Sequence, residues 1–440
     1  MTATVVTALI LFGITYVLLL ALPKYRAYIC LVSAIVFSIW LSIDKTTSLN
    51  FKDILSAIDF NILMMIAGTM GIVVLFIDSK MPMRIADFVV SKLKNVKFAI
   101  IGMSMLAGII SAFVDNVATV LMLAPIALAI CKQQKISPVT PIIAITISSN
   151  LQGAATLVGD TTSILLGGYA NMTFFDFFVF KGKPSMFFIV EIGAFLTLFI
   201  LMFLFRKATQ PLKENKKTEV NDYVPTFLMG GVIVSLILAS FLKAPANKTL
   251  NTIYDLRNGF ICMGFLILGL IINVIRKKDF SMTKKVIKEI DYQTLLLLAS
   301  LFIVIMGITK AGVINELSGL LIKLGGDNVF LMYTIIVFAS VIISAFVDNI
   351  PYVLTMLPVI EGVSLSMGIT PYILYFGLLV GSTLGGNITP IGASANITGI
   401  GILRKEGYEV KTGDFMKISV PFTIVAVMSG YLITWLFWGI

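Results

Sequence analysis

The 440-residue chain contains no histidine. That absence removes His-ligated zinc, haem held by a proximal histidine, and every Ser–His or Cys–His catalytic dyad. Cysteine is almost as scarce. Cys30, Cys131 and Cys262 stand far apart, in or beside apolar runs, with no metal-ligand spacing, and read as small apolar fillers. Charge is the third shortage: Asp, Glu, Lys and Arg supply 13% of the residues while 58% are hydrophobic. Soluble domains carry about 25% charged residues, so this composition belongs in a bilayer. Polar stretches long enough for a soluble domain are missing too. No cleavable leader is expected, because the first apolar stretch is about 20 residues long and leads directly into another. The net charge of +10 fits a cation surplus on one membrane face, and no nucleic-acid partner is expected.

What is present is a duplication. Ile109-Ile-Ser-Ala-Phe-Val-Asp-Asn116 returns letter for letter as Ile342-Ile-Ser-Ala-Phe-Val-Asp-Asn349, at an offset of 233 residues. The register holds downstream, where Pro125 matches Pro358, Pro138 Pro371, Ser149 Ser382, Gly153 Gly386, Thr156 Thr389 and Gly159 Gly392. A register kept that long is an internal repeat. Each copy sets an Asp in the middle of an apolar run with no Lys or Arg nearby in sequence. In lipid such a carboxylate costs at least about 2.5 kcal/mol on insertion scales, which calls for a function.

Runs long enough to cross a bilayer lie at 3–22, 27–43, 60–77, 139–168, 184–205, 224–242, 259–275, 292–309, 371–402 and 416–438. The sequence therefore predicts an all-α membrane protein of about ten transmembrane helices in two repeats, 1–205 and 223–440, joined by a charged linker at 206–222. Two further stretches, 98–130 and 329–363, are too long for one helix and are interrupted at Asp-Asn. They read as re-entrant hairpins with tips at Asp115-Asn116 and Asp348-Asn349. Amphipathic segments at 82–93 and 313–324 precede them and are expected to lie along the interface. With the N-terminus on one side, 24 of the 33 Lys and Arg sort to the other, which makes that other side and the linker cytoplasmic and both termini external. Five spans per repeat is an odd number, so the copies are expected to have inverted topology. The first hairpin then enters from the cytoplasm and the second from outside. Inverted repeats with broken helices are the architecture of secondary transporters.

The polar residues sit where that architecture needs them. After each hairpin a helix is expected to break, over Ser148–Ser163 and over Gly381–Asn396. Gly, Pro, Asn and Thr in the centre of a span free carbonyls that bind cations and expose N–H groups that bind anions. The candidate ion- or solute-binding residues are Asp115, Asn116, Asn150, Gly153, Thr156, Asp160 and Thr161 in the first repeat. In the second they are Asp348, Asn349, Ser382, Asn387, Thr389, Ser394 and Asn396. Asp115, Asp160 and Asp348 are the candidates for Na+ or H+, and each has a helix-capping alternative. Asp160 has no acidic counterpart, since Ala393 stands at the matching place. Glu191 and Glu361 lie nearer the expected outer ends and are set aside. No Lys or Arg occurs in 98–130, 136–180 or 324–403, so the bare site is expected to favour cations or neutral solutes.

These strings carry a resemblance. Asp115-Asn-Val-Ala-Thr119, Leu123-Ala-Pro125 and Val158-Gly-Asp160 are similar to first-half motifs of the P protein and arsenite permease branch of the ion transporter superfamily, with its citrate transporter-like domain. Val347-Asp-Asn-Ile-Pro351, Leu384-Gly-Gly-Asn387 and Ile391-Gly-Ala-Ser-Ala-Asn396 resemble P protein motifs more closely. Asp-Asn-Ile-Pro also occurs in NhaD-type sodium/proton antiporters, and Thr389-Pro390 is similar to arsenite permeases. The resemblance covers essentially the whole chain. It implies ten spans with two hairpins, a scaffold part, a transport part and a homodimer in the cell membrane. Divalent-anion/sodium symporters of the superfamily carry Ser-Asn-Thr at the tips, where this chain has Asp115-Asn116-Val117 and Asp348-Asn349-Ile350. The chain also departs from the P protein at Thr161-Thr162-Ser163, where that family has Pro-Pro-Asn.

The expected function is secondary active transport of an ion or small solute coupled to Na+ or H+, with no other cofactor. The alternatives are arsenite or antimonite efflux and sodium-coupled carboxylate or sulfate uptake. An enzyme is not expected. An intramembrane aspartyl protease needs Gly-x-Gly-Asp, and Leu157 stands where the first Gly belongs. A passive channel is separable from a transporter by the size of its currents.

Overall fold

The computed structural model describes residues 2–43, 49–212 and 218–439, so linker residues 213–217 lie outside the described residues. The first half holds ten α-helices: α1 (Ala3–Ala21), α2 (Arg26–Ile43), α3 (Phe51–Ala57), α4 (Phe60–Asp78), α5 (Met81–Ser91), α6 (Val96–Ser111), α7 (Asn116–Gln134), α8 (Val139–Gly153), α9 (Thr161–Tyr169) and α10 (Met186–Leu204). The second half opens with α11 (Val224–Ala239), α12 (Lys248–Asp255), α13 (Arg257–Lys277), α14 (Ser281–Glu289), α15 (Tyr292–Lys310) and α16 (Val313–Gly325). It continues with α17 (Val329–Ser344), α18 (Asn349–Met367), α19 (Tyr372–Gly385), α20 (Ser394–Lys405) and α21 (Thr412–Trp438). A two-residue antiparallel pair, β1 (Val179–Phe180) and β2 (Lys183–Pro184), bridges α9 and α10.

The helix ends repeat because their caps repeat. Asn95 accepts from Phe98 N–H at the start of α6, and Asn328 from Leu331 N–H at the start of α17. Asp59 accepts from Ile62 N–H on α4, and Asp291 from Thr294 N–H on α15. Lys135 and Gly368, 233 residues apart, end α7 and α18 in the left-handed conformation. The packing exchanges between halves in the same way. Helix α4 packs on α13 and α2 on α15; α6 packs on α8 and α17 on α19. An apolar core runs through both halves.

Among the described residues nine helices are long and apolar enough to cross a bilayer. Their membership departs from the expected ten spans. The stretches 139–168 and 371–402 are not single helices, because each is interrupted, between α8 and α9 and between α19 and α20, and the stretch 224–242 holds only the 16-residue α11, too short to count. The return arms α7 and α18, at 19 residues each, qualify by length, where the sequence predicts re-entrant hairpins. Each starts at a capping Asp and runs on to the left-handed stop, which makes it longer than hydropathy alone implied. Both arms begin deep in the protein, at one shared cavity described below. The amphipathic α16 meets α17 at 115°, the angle of a surface segment turning into the bundle. Four short elements, α3, α12, α14 and the strand pair, were not anticipated; they are too short to carry a period.

Candidate functional site

Both hairpin tips and both interrupted helices meet at a cavity of about 270 Å³. Asp115, Asn116, Asn150, Asp160, Thr161, Asp348, Asn349 and Ser394 line it, eight of the fourteen candidate residues. Gly153, Thr156, Ser382, Asn387, Thr389 and Asn396 do not. Glu289 and Asp291 stand exposed on one side of the cavity, and α4 contributes an apolar wall through Met70, Val73, Val74 and Ile77.

Each acid is a helix cap as well as a cavity group. Asp115 Oδ2 accepts from Val117 N–H (3.0 Å) and Ala118 N–H (3.2 Å). Asp348 Oδ1 accepts from Ile350 N–H (3.1 Å). Asp160, 7% exposed, accepts at Oδ1 from Ser163 N–H (2.7 Å) and from Thr162 Oγ1–H (2.8 Å). Three helix N-termini thus point at one cavity, and their partial positive charges offset part of the cost of burying three carboxylates. Each carboxylate keeps lone pairs beyond those its cap uses. Among the described residues no group of three acids converges as a metal-binding set. The three carboxylates share a cavity without meeting at one ion.

The expectation that no cation stands near the tips needs correction. Arg26, first residue of α2, donates from Nη1 to Asp348 Oδ2 across 322 positions of sequence. The two side chains are 27% and 28% exposed. Arg26 lies outside the apolar runs that hold the tips, at the foot of a different helix. Its signal was available only as an Arg heading an apolar span. The pair ties α2 to the tip of the second hairpin.

The residues that miss the cavity hold the interruptions together. Thr156 Oγ1 donates to Ala112 O, and its counterpart Thr389 Oγ1 donates to Ala345 O, so each break is tied to its own hairpin tip. Gly159 and Gly392 let those tips approach. A Cβ on Gly159 would sit 2.3 Å from Gly153 O and 2.8 Å from Ala112 O, and one on Gly392 2.5 Å from Gly386 O and 2.9 Å from Ala345 O. Asn150 and Asn387 join the two interrupted helices. Asn150 Nδ2 donates to Thr383 O (2.9 Å) and Asn387 Oδ1 (3.1 Å), and Asn387 Nδ2 donates to Ile147 O (2.9 Å). Asn116 Nδ2 reaches the same network at Asn150 Oδ1 (3.0 Å), and Thr162 and Thr383 hydroxyls meet at 3.0 Å. Asn387→Ala leaves buried partners unsatisfied and is expected to cost about 1–3 kcal/mol, read as a lowered melting temperature of the solubilised protein. An unchanged melting curve would remove this role.

A second, larger cavity of about 1110 Å³ lies among α3, α4, α9, α13 and α15, lined by Asp59, Asn61, Tyr169, Arg257, Asn258 and Lys310. Burial lifts the Asp59 carboxyl above its usual range, against the pull of the Ile62 and Asn61 N–H groups. At its rim Lys310 Nζ donates to Asp53 at 2.9 Å and holds that carboxyl below its usual range.

Comparison with known proteins gives the setting. A family model described as "Citrate transporter" matches residues 4–381. The "46 kDa membrane protein" of Mycobacterium leprae is 29% identical over 336 residues, which is 74% of each chain. The P protein of Homo sapiens is 24% identical over 447 residues, 85% of this chain and 53% of that one. Among solved structures, the Alcanivorax borkumensis YdaH transporter aligns with a TM-score of 0.61 at 13% identity, over 94% of this chain and 98% of that one. At that identity the likeness speaks for the fold.

Proposed function

We propose, from the premise that this chain belongs to the citrate transporter family of membrane transporters, that it is a secondary active transporter driven by a monovalent cation, Na+ or H+. The observation that carries the reading is the 270 Å³ cavity where both hairpin tips present carboxylates. Asp115 and Asp160 face it without a basic partner among the described residues, while Asp348 is held by Arg26. The cavity's acids outnumber its one Arg, which supports attraction of cations. Half-helix N-termini beside the acids supply N–H donors for an oxygen-bearing solute. Purified protein in proteoliposomes tests this with a panel of small solutes under imposed Na+ or pH gradients. Gradient-driven accumulation supports it; currents above transporter turnover under voltage clamp would make the protein a channel.

A second reading, cation-coupled uptake of a carboxylate, has one observation in its favour. Arg26 is a guanidinium inside the cavity, and guanidinium grips carboxylates bidentately. A solute carboxylate would take over the Arg26 side chain from Asp348.

Orientation follows from the charge sorting. The cavity lies beside Arg26 and the exposed acids Glu289 and Asp291, on the side read as cytoplasmic, so this conformation is taken to be open inward. All three native cysteines are buried and contribute little background to thiol labelling. In intact cells an impermeant thiol reagent should label Ser366→Cys and spare Lys135→Cys. Labelling of both contradicts the inverted arrangement, and the reverse pattern contradicts the orientation read from the charge sorting. The working unit is taken to be a homodimer, checked by the mass of the solubilised particle.

A further inference from the structure

Behind α8, on the side away from the solute cavity, lies a separate cavity of about 230 Å³ between α6, α8 and α10. Its walls are apolar except for Ser104, Ser148, Gln152, Glu191 and Thr197. Ser104 and Thr197 are satisfied within their own helices, by Ile100 O and Ala194 O. Glu191 sits in the sixth position of α10, MFFIVEIGAFLTLFILMFL, which has no other charged residue. It makes no hydrogen bond or ion pair with the described residues. Gln152 is 6% exposed, and its amide oxygen is buried without a partner, packed on Gly108, where a Cβ would come within 1.8 Å. The three groups Ser148, Gln152 and Glu191 therefore share a chamber roomy enough for several waters at about 30 Å³ each.

We propose that Glu191, Ser148 and Gln152 form a second ion-handling site, one that takes up and releases a proton. The chemistry of the set supports this. A permanent carboxylate at this depth needs a cation, and the cavity has none. A permanently neutral acid would need one acceptor for its O–H and a donor for its C=O, whereas a carboxylate needs donors alone. Ser148 and Gln152 are each both donor and acceptor, so they solvate the carboxylate by donating and the carboxylic acid by accepting. Other titratable residues on the elements packed against α10 are Lys97 on α6, Lys183 on β2, and Asp414, Lys417 and Tyr431 on α21, and none lines the cavity. Helix α8 itself has none.

The site is positioned to affect transport. Ser148 and Gln152 are four residues apart, on one face of α8. The neighbouring Ser149 and Asn150 point the other way, to Asn116 O and to Thr383 O. One helix thus carries the proton chamber on one face and the hairpin tip on the other. This coupling role rests on the transporter reading; the existence of the proton site does not.

The test uses a hydrophobic carbodiimide on the intact protein in liposomes. Met105, Ile109 and Phe195 border the cavity and are 38%, 50% and 61% exposed, which gives an apolar reagent access from the lipid. The reagent adds to a protonated carboxyl: the acid proton moves to one nitrogen, the carboxyl oxygen bonds the central carbon, and the acyl group shifts to nitrogen. Every atom stays in the N-acylurea adduct. Peptide mass spectrometry should find the adduct at Glu191, with a rate that falls about tenfold for each pH unit once the acid is mostly ionised. Glu191→Gln should lose the adduct at that position, and its flux should lose at least part of the wild-type pH response while the protein melts as wild type does. Absence of the adduct, a rate indifferent to pH, or a Glu191→Gln protein with the wild-type pH response would each overturn the proposal. If wild-type liposomes move no solute under any gradient, the transporter reading fails, and the labelling result still decides the site.

Discussion

Arg26→Gln is expected to tighten the cavity's hold on its driving cation by about tenfold and to slow turnover. The Arg26 guanidinium occupies Asp348 Oδ2, and any cation that uses that oxygen must first displace it. A hydrogen bond between charged groups contributes about 1.5–3 kcal/mol, which as a lost competitor is roughly 10–100-fold in apparent affinity. The Asp348 carboxylate, 28% exposed and left unpaired, is then neutralised by the entering cation instead of by Arg26. Gln keeps a donor and most of the stem, so α2 still packs on α15. The half-saturating Na+ or H+ concentration for flux is the readout. A raised value with solute affinity unchanged would show that Arg26 helps the cation in. A loss of solute affinity instead would favour the carboxylate reading, in which Arg26 is the grip.

The second large effect is expected at Asp160. Ala393 occupies the equivalent position, so the acid is an addition to one half of a duplicated scaffold. Its cap bonds complicate an alanine substitution. Asp160→Ala would remove the acceptor for Ser163 N–H and cost about 1 kcal/mol of helix stability before any effect on ions. Asp160→Asn retains an acceptor oxygen for Ser163 N–H and Thr162 Oγ1–H and removes only the charge. Folding and yield should survive, while flux driven by the cation gradient should fall at least about tenfold, the loss of one ionic contact worth about 1.5–3 kcal/mol. The physical hypothesis is that Asp160 gives up its proton as the driving cation enters, so that removal of the charge uncouples the two. A variant with the wild-type response to Na+ and to pH would return Asp160 to capping alone.

Much of this organisation was legible in the letters. The 233-residue register located both hairpins, both tips and both helix breaks, because a duplicated fold repeats its caps and turns. Asn95 and Asn328 cap matching helices, and Thr156 and Thr389 tie matching breaks. What the letters could not give was distance between remote elements. Arg26 is read from sequence as an interfacial charge before the second span, and only the fold brings α2 to the second tip. The same limit applies to the threonines. Hydroxyls at a helix break were expected to face the solute, yet the carbonyls of Ala112 and Ala345, freed at the tips, take them first. Capping and cavity lining fall on the same position for all three acids, since a helix N-terminus is the place in a low-dielectric interior where a carboxylate is least costly. Glu191 does lie near the start of α10, as its place in the sequence implies, but only the fold brings it to a cavity shared with Ser148 and Gln152 of α8.

The proposal that Asp115 and Asp160, the cavity acids not paired with Arg26, bind the driving cation meets its most direct test in liposomes loaded with a pH-sensitive dye, with the membrane potential clamped. Wild-type protein should turn an imposed Na+ or solute gradient into a pH change, or a pH gradient into solute accumulation. The Asp115→Asn, Asp160→Asn double variant should show neither, while melting at the wild-type temperature. A double variant that still couples the gradients as wild type does would contradict the assignment, whatever the solute proves to be.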